Sequence, residues 1–114
     1  MDSKPSIIQQ KSFEFSIRVV KMYQWLCENH KIYSLADQFL RSGTSIGANV
    51  EEATGSISKK EFAVKIGISY KEARETRYWI RLFGATGYLD NKTCDSMLTD
   101  CNELVKIFVS NLKF

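Results

Sequence analysis

The sequence predicts an all-α protein, an antiparallel up-down four-helix bundle forming one domain over residues 1–114. Three observations predict it. The only proline is Pro5, so nothing from residue 6 onward interrupts a long helix. Apolar residues recur at spacings of three and four through four successive segments. The stretches between those segments are short, about 3–6 residues, which is the length that joins antiparallel neighbours in a bundle. A chain of 114 residues is long enough for one core and too short for two.

The first helix is expected from about Ser6 to Asn29. Ile8, Ser12, Phe15, Val19, Met22 and Leu26 share one face of it, Ile17 and Val20 widen that face, and Asn29-His30 marks the end. The second is expected to start at Ser34 as N-cap, with Asp37 as an acidic first-turn residue. It carries Leu35, Phe39, Ile46 and Val50 and ends near Gly55. The third has the clearest start signal, because "SKKE" puts Ser58 at the N-cap and Glu61 at N3, a capping box. Phe62, Ile66, Ser69, Ala73, Thr76, Ile80 and Phe83 then alternate by four and three, a helix-packing seam that runs to about Thr86 and stops at Gly87. The fourth starts near Asp90 and presents Cys94, Met97, Leu98, Cys101, Leu104, Val105, Phe108 and Leu112 on a broad apolar face.

"RSGTSIGANVEEATG", Arg41 to Gly55, is unusual for a helix because Gly43 and Gly47 lie one turn apart. Glycine costs about 1 kcal/mol relative to alanine in a helix interior. Small residues four apart let two helix backbones approach closely, a device known from membrane helices. The third helix is also narrow in its middle, at Ser69, Ala73 and Thr76, so the two waists are expected to meet. The alternatives are a kink between Leu40 and Ala48, or an anion-binding loop at "GTSIG". The loop lacks a Gly-Lys-Ser/Thr ending and a preceding strand.

Composition excludes several function classes. No apolar run approaches the ~18 residues of a membrane span, and the N-terminal "MDSKPSIIQQKSFEF" has no signal-peptide pattern, so a cytoplasmic protein is expected. Cys27, Cys94 and Cys101 are odd in number and contain no CxxC. With His30 the single histidine, a zinc site is not expected, and all three read as buried thiols. No Glu-x-x-His motif supports a dimetal centre of the bundle type. No metal or other cofactor is expected, and no catalytic residue stands out.

Two features carry functional weight. Glu72 and Glu75 share a face with Ile68, Trp79 and Leu82, and call for a cationic partner such as Arg41 or an arginine of another subunit. Basic residues concentrate in the third helix. Between Ser58 and Thr86 stand seven Lys or Arg against three Glu, a net +4 that exceeds the +3 of the whole chain. Lys71, Arg74, Tyr78 and Arg81 fall on one face with Tyr70 and Arg77 beside them. Such a basic-aromatic stripe can hold phosphates by charge and stack on exposed bases. The bland reading is a solvated face with the tyrosine rings lying over apolar neighbours. Trp25 and Trp79 are candidates for core or subunit contacts, and there is more apolar surface than a single bundle consumes.

"LRSGTSIGANVEEA" followed by "EFAVKIGISYKEARETRYWIRLF" resembles the bacterial four-helix-bundle family encoded in intervening sequences of large-subunit rRNA genes, also labelled S23-type ribosomal proteins. "KSFEFSIRVVKMYQWL" is similar to the family's first helix. The resemblance implies an up-down bundle, assembly into ring-shaped homopentamers, and kinship with accessory proteins of diversity-generating retroelements, which act with nucleic acid. It points to Arg41, Ser42, Ser45, Gly47, Asn49, Glu72, Ala73, Glu75, Tyr78 and Trp79, mainly as packing or subunit contacts. The expectation is therefore a non-enzymatic homo-oligomer binding RNA or DNA through Lys71, Arg74, Arg77, Tyr78 and Arg81. Arg41, Gly43, Gly47, Asn49, Glu72, Glu75 and Trp79 would serve packing or subunit contacts. The alternative is a scaffold for protein partners, and a third reading is an enzyme with a glutamate-lined site at a subunit boundary.

Overall fold

Four helices run in sequence: α1 Ile7–His30, α2 Tyr33–Thr54, α3 Lys59–Ala85 and α4 Asn91–Leu112. A computed structural model describes residues 6–112; Pro5 and the ends of the expected 1–114 domain lie outside the described residues. Neighbours in sequence are neighbours in space. The α2–α3 contact is the most extensive and the α1–α4 contact the least, so the bundle is most open along that last edge. Its extents are 44 × 26 × 22 Å.

The helix ends follow local chemistry. Ser6 caps α1 in a reciprocal capping box with Gln9. His30 is the last helical residue, and the left-handed turn that follows falls on Lys31 (φ 55°), whose N–H bonds to the carbonyls of Leu26 and Cys27. That tight reversal starts α2 two residues earlier than the Ser34 cap predicts. Ile32 occupies the cap position without a side-chain bond, and Asp37 is not a first-turn residue. Asp37 instead accepts a hydrogen bond from the Tyr23 hydroxyl at 2.8 Å, tying α2 to α1. At α3 the Ser58 hydroxyl accepts from the Glu61 N–H, the first half of the expected capping box. Gly87 has φ +85°, a backbone state that favours glycine after α3, and the Asp90 carboxylate accepts from the Thr93 N–H to cap α4.

The core follows the predicted stripes. Ile66, Ser69, Ala73, Thr76, Ile80 and Phe83 of α3 are all buried, joined by Phe15, Val19 and Leu26 of α1, Phe39, Ile46 and Val50 of α2, and Met97, Leu104 and Phe108 of α4. Each large side chain so buried is worth about 1.5–3 kcal/mol. Leu35, Ile17, Val20 and Cys27 depart from expectation: Leu35 sits at the bundle end 37% exposed, Ile17 and Val20 are exposed instead of widening the buried face of α1, and Cys27 is half-buried because its position is off the α1 stripe. Cys94 and Cys101 are buried as expected, and burial pushes the Cys101 thiol up to about 12.

The waist of α3 meets two helices at once. The Ser69 hydroxyl donates to the Ile46 carbonyl at 2.9 Å, and the Thr76 and Ser42 hydroxyls share a hydrogen bond of 2.9 Å. On the other side Cys101 of α4 lies 3.3 Å from the Ala73 carbonyl. The two glycines do not pack on that waist. A Cβ at Gly43 would lie 2.6 Å from Val19 Cγ1, and one at Gly47 would lie 3.0 Å from Ser16 Oγ and 3.3 Å from the Ser12 carbonyl. They bring α2 against α1, while Ser42 and the Ile46 carbonyl face α3. The close-packing reading therefore holds with a different partner helix, and α2 is continuous through both glycines.

Candidate functional site

The residues singled out from the sequence separate onto the two flanks of α3. Toward α2, the guanidinium of Arg41 bonds both Glu72 (3.1 Å) and Glu75, and Lys65 pairs with Glu52 at 2.6 Å. The Trp79 indole N–H donates to the same Glu75 carboxylate at 3.0 Å. Burial alone pushes the Glu75 carboxyl up, but the bonds from Trp79 and Arg41 and the Arg41 charge outweigh it, and the group sits below the ordinary carboxylate value. The same contact with Glu75 raises Arg41. Glu72 and Glu75 are thus closed by ion pairs and line none of the grooves described below. Asn49 donates to the Ser45 carbonyl within α2, so it too is occupied locally.

Toward α4, the other flank carries Arg77 and Arg81, with Arg74 and Lys71 on the exposed side of α3 next to it. Lys71, Arg74, Tyr78 and Arg81 are exposed, as the spacing predicts. Arg77 is half-buried and donates to the Asn102 side chain at 3.1 Å. Arg74 lies over the Tyr70 ring, 5.8 Å from its centroid. Among the described residues, none of these four cations forms an ion pair, whereas both arginines outside α3 do: Arg18 with Asp100, and Arg41 with Glu72 and Glu75.

A groove of about 480 Å³ opens at the end of this flank, between the last turns of α3 and the start of α4. Tyr78, Arg81, Leu82, Ala85, Asn91 and Leu98 surround it, with Gly84 and Cys94 below. A Cβ at Gly84 would lie 2.6 Å from Cys94 Sγ, so the absence of a side chain there lets the two helices close the floor. The sequence reading missed this groove; Gly84 beside a buried cysteine stripe was the one available signal. A second groove of about 450 Å³ lies on the open α1–α4 edge, floored by Met22, Trp25, Leu89 and Met97. Among the described residues no three His, Cys, Asp or Glu side chains converge as a metal site, and no helix is long and apolar enough to cross a membrane.

The family model described as 23S rRNA-intervening sequence protein matches residues 4–110. The chain belongs to that family. A crystal structure of a protein of unknown function from the S23 ribosomal protein family of Bacteroides thetaiotaomicron is similar throughout: 39% identity, TM-score 0.93, covering 95% of this chain and all of the other. A search of curated proteins found no match. Membership in the 23S rRNA-intervening sequence family accords with the four-helix fold and with the sequence motifs in α2 and α3, and leaves the role of the basic flank to be argued from its chemistry.

Proposed function

We propose that this chain is a non-enzymatic, homo-oligomeric cytoplasmic protein that binds nucleic acid, structured RNA or an RNA–protein complex, through the α4-facing flank of α3. One observation carries the reading. Among the described residues the three arginines of α3 have no carboxylate partner, while both arginines elsewhere are neutralised. A fold that pairs Arg18 and Arg41 yet leaves a row of cations unpaired beside tyrosine rings has the chemistry of a phosphate-binding surface. Glu72 and Glu75, the carboxylates an enzyme reading would use, are held by Arg41.

Self-association is supported by two exposed apolar stripes on different helices. Phe13, Ile17 and Val20 of α1 are 66%, 42% and 39% exposed, and Val64 and Ile68 of α3 are 53% and 38% exposed. Two unlike patches join head to tail and close into a ring when the rotation per subunit allows, in keeping with the pentamer the family resemblance implies. Repeating a modest basic flank around such a ring multiplies avidity without a strong single site. The same stripes favour the second reading, a scaffold for protein partners.

The test is fluorescence anisotropy with a labelled structured RNA, starting from a 23S rRNA intervening sequence, between about 50 and 200 mM salt. Affinity is expected to fall steeply over that range. Absent or salt-independent binding would leave the scaffold reading in place.

A further inference from the structure

The groove at the end of the basic flank has features that a phosphate-binding surface alone does not need. Its walls are mostly carbon, from Leu82, Ala85 and Leu98, with the Tyr78 ring at its lip and the Arg81 guanidinium beside it. Tyr78 is 54% exposed, yet its ring is braced edge-on against Trp79, with centroids 5.2 Å apart. Trp79 is in turn fixed by its bond to Glu75. The Asn91 amide on the α4 side makes no side-chain hydrogen bond among the described residues, so its donor and acceptor remain available to a ligand edge.

We propose that this groove receives a single unpaired nucleobase, with Arg81, Arg77 and Arg74 holding the phosphates that lead away from it. The proposal rests on the nucleic-acid reading above and narrows the ligand to RNA or DNA with unstacked bases: loops, bulges or ends. Charge complementarity selects this occupant, because Arg81 lines the groove and Arg77 and Arg74 follow it one and two turns back along α3, all three without a carboxylate partner among the described residues, which suits a phosphate-linked planar group. An aromatic platform with a nearby amide matches how bases outside a duplex are bound, by stacking and by hydrogen bonds to their edges. A paired base inside a duplex cannot enter a slot between two helices. The volume of about 480 Å³ is within the range of small-ligand sites.

The test uses the full chain and two labelled probes of equal phosphate count at one salt concentration: a hairpin with an unpaired loop, and a blunt duplex. The wild type is expected to prefer the hairpin by roughly tenfold or more, the scale of one stacked base. Tyr78→Ala, and Ala85→Trp, which fills the groove from an exposed position, should each bring the hairpin-to-duplex affinity ratio down to about one. Tyr78→Phe should keep it. Equal wild-type affinity for both probes, or a preference that survives Tyr78→Ala or Ala85→Trp, would overturn the base groove while leaving the phosphate surface standing. Loss of binding to both probes at about 50 mM salt would instead remove the nucleic-acid reading and this inference with it.

Discussion

The two flanks of α3 use the same residue types to opposite ends. On the α2 side, charges of both signs meet: Arg41 bridges Glu72 and Glu75, and Lys65 reaches Glu52. On the exposed and α4-facing side, Lys71, Arg74, Arg77 and Arg81 have no carboxylate partner among the described residues. One flank uses its charge to hold helices in register, and on the other the positive charge meets no opposite charge among the described residues. The difference shows that charge counts along a helix carry little meaning until the neighbouring helix on each side is known.

The largest effect expected on this contrast comes from reversing the open flank. Arg74→Glu, Arg77→Glu and Arg81→Glu combined should lower RNA affinity on the order of a hundredfold or more at low salt, with helicity by circular dichroism unchanged. Next in size is a change in the seam between the flanks. Thr76→Val removes a buried hydroxyl bonded to Ser42 and the Glu72 carbonyl, and should cost about 1–2 kcal/mol in urea unfolding without altering RNA affinity.

On the closed flank, Arg41→Ala should cost about 1 kcal/mol, a figure reduced for the half-exposed guanidinium. This effect depends on pH. Because the Glu75 carboxyl is held below its ordinary 4.5, its contribution is full above that value and is lost as pH falls through the lower folded-state value. Arg41→Ala should therefore shrink the stability difference between neutral and acid solution; an unchanged acid limb would show that the pair does not act as described. The smallest effect is expected at Gly67, on the open flank, where an added Cβ meets nothing within 4 Å. Gly67→Ala should raise stability by up to about 1 kcal/mol by helix propensity alone, read as a higher melting temperature.

Most of the fold was legible because it depends on period and caps. The α3 seam from Ile66 to Phe83 is buried residue for residue, and Ser58 caps where "SKKE" placed it. The partner of the glycines was not legible. Period places Gly43 and Gly47 on a face of α2, but α1 and α3 flank that face on either side, and only the packed bundle sets them against Val19, Ser16 and Ser12. The start of α2 was misread because Lys31 adopts a left-handed turn that a lysine rarely signals. The exposed face of Lys71, Arg74, Tyr78 and Arg81 followed from spacing, and Arg41 was one of the partners expected for Glu72 and Glu75, whereas the groove beside Cys94 depends on how closely α3 and α4 approach at Gly84, which period alone does not set.

The most direct test of the contrast is the salt slope of RNA binding for single neutral replacements on each flank. Removing one phosphate-contacting arginine reduces the slope of log affinity against log salt by about 1. Arg74→Gln and Arg81→Gln should each show that reduction, and Arg41→Gln should leave the wild-type slope intact. Equal slopes for all three variants and the wild type would contradict the assignment of phosphate binding to the α4-facing flank.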